Sequence, residues 1–408
     1  MQYSYGTISQ RTSKMLLLLA ASNLECWCTL ALVCEMAVCF QASQFNISSC
    51  LCQTVITYLV LPILYSVMFL IGLSGNVLSL WVFMAKISTK TPTHIYLINL
   101  GISNLILCFI MPFNAAYYVL STSWPASGLT CQLAINVLTP VLHTNIGGGV
   151  LILTWLALSR FATIIQHNYG NRPSRCTKVL PRIIFRRLQQ TPFALAMCAG
   201  TWAFVAMIII PTVVLYATME TDRVDNNSTQ ACYSVAVEVG GSSSQASAIV
   251  GSTLFFLCLV LVLSAYITVI RHINRTKINK IIPDRQGVYS KVCRNILVIQ
   301  IVLVICLLPH HIYKVIFIAM AQYEDFTHGI LRSPSAEECH PFSIYVEVKN
   351  GLLCLAVLRC STDPIIYFLL DKTFKKYAWN LFREIFRTKE SQSSRSTYEC
   401  GQLNSLGQ

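Results

Sequence analysis

The sequence predicts an all-α membrane protein: a seven-transmembrane helix bundle followed by a short amphipathic helix on the membrane surface. Three observations carry this prediction. The 408 residues are 54% hydrophobic and only 12% charged, whereas a soluble domain is about a quarter charged. Seven apolar segments each reach the roughly 20 residues that a bilayer-spanning helix needs. Basic residues concentrate in alternate loops, as they do on the cytoplasmic side of membrane proteins.

Residues 1–54 form an N-terminal segment that contains an apolar run, Met15–Phe40. Arg11 and Lys14 precede the run and Ala42-Ser43 follows it, the pattern of a long signal-like segment. An extra helix is the alternative. The bundle is expected over residues 55–370, with spans Val55–Phe83, Ile95–Leu120, Leu133–Ile165, Phe193–Ala217, Ala246–Ile270, Ile296–Ala321 and Val346–Leu370. Residues 371–387 place Phe374, Tyr377, Ala378, Leu381 and Phe382 on one face, interleaved with Lys372, Lys375 and Lys376. That pattern predicts a helix lying in the inner lipid interface. Residues 388–408 are polar and hydroxyl-rich, either a plain disordered tail or one that binds arrestin once phosphorylated.

The net charge is +13. The loop after the third span carries Arg172, Arg175, Lys178, Arg182, Arg186 and Arg187, and the loop after the fifth is similarly basic. These loops are therefore expected inside and the N-terminus outside, in a multi-pass plasma-membrane protein. Because the basic runs sit at membrane edges, they suit lipid headgroups better than nucleic acid. The sequons at Asn46, Asn226 and Asn227 fall on the expected outer side, as glycosylation requires. Cys131 and Cys232 also lie at the outer face, where a bridge would close the long outer loop over the bundle. Cys50 or Cys52 could similarly reach Cys339. No metal, nucleophile or phosphate-cradling pattern is assembled, so neither an enzyme nor a cofactor is expected.

The motifs are more specific. They are Gly75-Asn76-Val77, "NLGISNLIL", Met111-Pro112-Phe113, Trp124 ahead of Cys131, "LTWLALSRF", Trp202 with Pro211, Tyr266, "CLLPHHIYK" and "STDPIIYFLLDKTFKK". Their order and spacing resemble a rhodopsin-like (class A) G-protein-coupled receptor over Val55 to Phe382. Within that family they resemble the nucleotide and lipid-mediator branch, and an orphan receptor in it. The resemblance implies a receptor that passes an extracellular signal to heterotrimeric G proteins. It assigns Arg160 to G-protein coupling, and Tyr266, Leu307, Pro309, Asp363, Pro364 and Tyr367 to the switch. In that branch, positions matching His310, His311, Lys314 and Lys349 contact anionic ligands. Lysines that merely extend to the outer interface are the alternative.

Several departures from the family pattern bear on mechanism. Ser159 stands where a carboxylate usually precedes Arg160, and Leu307 where an aromatic residue is usual. Both remove restraints on the resting state, so basal activity is expected. Asn104 replaces an aspartate that usually binds sodium, and Arg359 replaces an asparagine. Arg359 and Asp363 are four apart and share a helix face. The guanidinium is expected in the ion's place near Asn76, pairing with Asp363 and hydrogen-bonding Asn104. Alternatively, Arg359 turns toward a carbonyl. The stretch from Cys131 to Arg160 is about one helical turn longer than the resemblance implies, and Gly147-Gly148-Gly149 within it suggests an irregular helix. Two other readings remain open: a receptor-shaped binding or scavenging protein that does not couple, and a secondary transporter, for which an internal repeat would be the sign.

Overall fold

The computed structural model describes residues 51–167, 182–221, 231–278, 301, 303–327, 342–370, 374–380 and 383. Among them, seven helices are long and apolar enough to cross a membrane: Ile56–Lys86, Pro92–Leu120, Leu129–Thr163, Thr191–Pro211, Val235–Arg271, Leu303–Gln322 and Ser343–Phe368. They are spans one to seven below; the first turn of span five, Val235–Val239, is set off by Gly240 from the continuous helix Ser242–Ile278 and is counted with the loop that precedes it. Helix continues beyond some of these limits, to His167 in span three and Ile278 in span five. The Met15–Phe40 run, the three sequons, Cys50, Cys339, Leu381, Phe382 and the 388–408 tail lie outside the described residues.

The spans close into a ring. Span one packs on spans two and seven, span seven on six, six on five, and five on three, while span four covers spans two and three. In spans two, three and seven, 61–67% of the most apolar window is buried, against 22–39% in the other four. Spans two, three and seven therefore form the interior, and their polar residues face protein rather than lipid. Three polar contacts lock neighbours together in the bundle. Asn145 Nδ2 donates to Ser103 O (2.7 Å), Trp202 Nε1 to Asn99 Oδ1 (2.9 Å), and Ser361 Oγ to Met68 O (2.8 Å).

Prolines shape the helices in two ways. Among the described residues a wide, i→i+5 turn occupies Ile56–Val60, Val82–Lys86, Ala134–Leu138 and Leu303–Leu307. All but Val82–Lys86 end two residues before a proline: Pro62, Pro140 and Pro309. A proline ring clashes with the carbonyl four residues back, and a widened turn moves that carbonyl aside. The irregularity expected in span three is thus at Ala134–Leu138 and not at the glycines, which lie inside the regular helix Thr139–His167. Pro364 is accommodated differently, inside the helix Ser343–Leu370. It leaves the Cys360 carbonyl without its helical donor, and Asn76 Nδ2 supplies one at 2.8 Å. Gly75 completes the fit: a Cβ there would lie 2.8 Å from Pro364 Cβ. The Gly75-Asn76 pair in span one is therefore built for the proline in span seven.

After span seven, residues 374–380 are helical. Phe374 and Ala378 are buried, while Lys375, Lys376 and Trp379 are exposed. Phe374 stacks on Phe83 at 5.5 Å, fastening this short helix to the Lys86 end of span one, labelled the inner end below. At the opposite end of the bundle, labelled outer, Cys131 and Cys232 form the expected disulfide across 101 residues. Cys52 is also disulfide-bonded.

Candidate functional sites

Three polar constellations interrupt the apolar bundle. The first is central. Arg359 is completely buried and its Nη1 lies 3.2 Å from Asp363 Oδ2. Asn104 Nδ2 donates to the same Asp363 oxygen at 2.9 Å and to Asn76 Oδ1 at 3.1 Å. The four residues expected to replace a sodium site are therefore together. The predicted Arg359–Asn104 hydrogen bond is not made: the guanidinium is turned to Asp363, and the Asn104 Oδ1 that could accept from it stays unengaged. Asn104 Oδ1 and the Arg359 Nε and Nη2 groups have no protein partner among the described residues.

Sequence reasoning missed what makes room for the guanidinium. A Cβ at Gly149 would sit 2.5 Å from Arg359 Nη2 and 3.2 Å from Cζ. The glycine is needed for a side chain of span seven, not for a bend in span three. Gly148 meanwhile faces Val205 of span four.

The second constellation lies at the inner end. Arg160 occupies the last turns of span three beside buried Ser159 and Phe161. Phe161 packs on Phe185 of the helix Arg182–Leu188 at 6.0 Å, and Tyr266 borders this cluster. Gln189 Nε2 caps the Ala162 carbonyl at 3.0 Å, so the basic inner loop is tied to the end of span three. Leu307 is fully buried in the main core, immediately before Leu308-Pro309. Tyr367 packs edge-on against Phe83 at 6.0 Å, and its buried hydroxyl has no partner among the described residues.

The third constellation is in the outer half. His310 stacks on His143 at 5.9 Å, and His311 on Phe255 at 4.1 Å. His311 Nδ1 lies 3.4 Å from Ser252 Oγ. Lys314 follows His310 and His311 by one turn on the helix Leu308–Thr327 and is half-buried. No carboxylate pairs with Lys314 among the described residues. Lys349, expected to contact an anionic ligand, bonds through its Nζ to the Glu238 carboxylate and, at 2.8 Å, to the Glu238 carbonyl, while lying 4.9 Å over the Phe317 ring. Among the described residues no cluster of His, Cys, Asp or Glu could hold a metal ion.

Glu238, Tyr117 and His143 were absent from the sequence-based set. So was Glu347, whose Oε1 accepts from Thr54 N (3.0 Å) and whose Oε2 accepts from the Thr54 (2.8 Å) and Thr57 hydroxyls. A signal for Glu347 existed: an acid in an apolar span demands partners. Glu238 had a weaker one, as an acid in the otherwise apolar "VAVEV" just after Cys232.

This arrangement can be set against known proteins. The family described as 7 transmembrane receptor (rhodopsin family) matches residues 75–367. The chain belongs to this rhodopsin family of receptors. Probable G-protein coupled receptor 82 of Homo sapiens is 34% identical over 354 residues, spanning 86% of this chain and 99% of the relative. The Mus musculus protein of the same name is 36% identical over 337 residues, spanning 82% and 98%. Lysophosphatidic acid receptor 6 of Homo sapiens is 24% identical over 357 residues, spanning 85% and 91%. The receptor is thus a multi-pass plasma-membrane protein of the G-protein-coupled class and related to its lipid and nucleotide branch, and its relatives are signalling receptors rather than enzymes.

Proposed function

We propose that this receptor answers a small anionic extracellular ligand, a phosphate or carboxylate, bound in the outer half of the bundle. One observation carries the reading: the outer half holds two lysines, Lys314 and Lys349, but the only carboxylate ion-paired with either among the described residues is Glu238, on Lys349. The surplus cation favours an anion in a semi-enclosed site. His143, His310 and His311 line the level below and offer ring nitrogens. One relative is a receptor for lysophosphatidic acid, which is itself a phosphate monoester.

In this reading the N-terminus is extracellular and the basic Arg182–Leu188 helix faces the cytoplasm, where Arg160 engages the G protein. The tail, once phosphorylated, engages arrestin. Ser159 and Leu307 leave the resting state weakly restrained, so the receptor signals without ligand. The Arg359–Asp363 pair takes the part that a sodium ion plays in the family.

Two measurements test this. Arg160→Ala should keep surface expression and abolish both basal and stimulated G-protein activation. Unchanged coupling at equal expression removes Arg160 from the role. Lys314→Ala should weaken binding of a phosphate monoester about tenfold or more, since a charge-assisted contact is worth roughly 1.5–3 kcal/mol. An unaltered affinity removes the anion pocket.

A further inference from the structure

The outer loop carries its own anion into the proposed ligand site. The loop is anchored first. The Cys131–Cys232 disulfide holds it to span three, Cys232 N donates to Trp124 O (2.8 Å), and Tyr233 N to Ser121 O (3.2 Å). Burial, then the nearby Glu238 charge, push the Tyr233 phenol above its ordinary value, so this ring stays neutral in its packed position. From there one turn, Val235–Val239, projects inward and ends at Gly240, whose φ of 73° favours glycine. Glu238 sits on that turn with its side chain only 6% exposed.

Each carboxylate oxygen of Glu238 is engaged. Tyr117 Oη donates to Oε1 at 2.6 Å, and Lys349 Nζ donates to Oε2. The other nearby acid is not available to Lys349, because Glu347 is occupied by Thr54 and Thr57. Lys314 has no carboxylate of its own among the described residues. Glu238 therefore occupies Lys349, while Lys314, one helical turn beyond His310 and His311, is left without a carboxylate among the described residues.

The geometry points to Glu238 as a resident counter-ion: it occupies Lys349 in the ligand-free receptor, and a phosphate monoester binds Lys314 first and reaches Lys349 by displacing Glu238. This rests on the anion-pocket reading above. A phosphate monoester can prevail because it brings close to two negative charges and three acceptor oxygens against one carboxylate. Displacement frees a loop that is covalently tied to span three, which links occupancy of the site to the helix that carries Arg160.

The test uses the full-length receptor in neutral detergent, titrated with hexyl phosphate, inorganic phosphate and hexanol, with thermal stabilisation as the readout. Glu238→Gln keeps the shape and removes the competing charge. It should tighten hexyl phosphate binding about tenfold, and adding Lys349→Gln should erase that gain. Tyr117→Phe, which loosens Glu238 without removing either charge, should give a smaller gain in the same direction and guards against misfolding of the first variant. Hexanol should do nothing. A gain limited to hexyl phosphate assigns a tailed monoester, and an equal gain with inorganic phosphate assigns free phosphate. If wild type is stabilised through Lys314 while neither Glu238→Gln nor Tyr117→Phe gains affinity, the counter-ion role is overturned and the pocket stands. If no anion stabilises any variant, both fall.

Discussion

Two ion pairs in one span behave as opposites. Arg359–Asp363 lies deep, within a single helix, and is sealed by Gly149 of span three. Lys349–Glu238 lies near the outer end, joins span seven to a loop 111 residues away, and leaves the lysine side chain 20% exposed. The deep pair has no route to water if one member is lost. The outer pair does, because Lys349 can extend toward solvent. The contrast suggests a fixed element below, which sets the resting bundle, and a replaceable one above, which a ligand can exchange.

The largest expected effect comes from breaking the deep pair. Arg359→Ala leaves Asp363 buried with only Asn104 as a donor. Removing one side of a buried pair typically costs about 3–5 kcal/mol, read as a large fall in melting temperature in detergent. Replacing both partners, as in Arg359→Leu with Asp363→Asn, should cost less than the single change. A single variant as stable as wild type would show that Asp363 does not depend on the guanidinium.

Next comes the seal. Gly149→Ala places a methyl group 2.5 Å from Arg359 Nη2. Overpacking of this kind costs about 1–3 kcal/mol. In an Arg359→Asn background the shorter side chain should leave room for the methyl group, so Gly149→Ala should cost much less there than in wild type, with a clear interaction energy in the double-mutant cycle. Additive losses would mean that the methyl group meets something other than the guanidinium.

These two sites also differ in how much the sequence discloses. Arg359 and Asp363 are four apart, so helix periodicity alone puts them on one face. All seven spans were legible for the same reason: length and hydropathy are local properties. Gly149 was visible as a glycine, yet its purpose depends on a residue 210 positions later, and local reasoning took it as a sign of an irregular helix. The Glu238–Lys349 contact was illegible because it depends on where a disulfide holds a loop. The wide turns before Pro62, Pro140 and Pro309 were only half legible. The prolines announce a disturbed helix, but not whether it kinks, widens or borrows a donor as Pro364 does from Asn76.

Breaking the outer pair should cost less. Glu238→Gln retains a polar contact to Tyr117, and Lys349 can rehydrate, so the stability loss should be about 1 kcal/mol or less, as for partly exposed pairs. The comparison with Arg359→Ala, made in one detergent at one ionic strength, is the measurement. Equal losses at the two sites would refute the division into fixed and replaceable pairs.

The smallest expected effect is a null response, and it isolates what the deep pair replaces. Sodium should leave the melting temperature of the wild-type receptor unchanged when potassium balances ionic strength. The reason is electrostatic: a second cation beside Asp363 would face the Arg359 guanidinium, and Asn104 offers no negative charge to offset it. Arg359→Asn with Asn104→Asp removes the resident cation and adds a carboxylate beside Asp363 and Asn76. Two buried carboxylates then repel each other unless a cation sits between them. The double variant should therefore gain stability as sodium rises, while potassium, being larger, should substitute poorly. A sodium-dependent wild type would mean that the ion still finds a site in this bundle, and that the Arg359–Asp363 pair does something other than stand in for it.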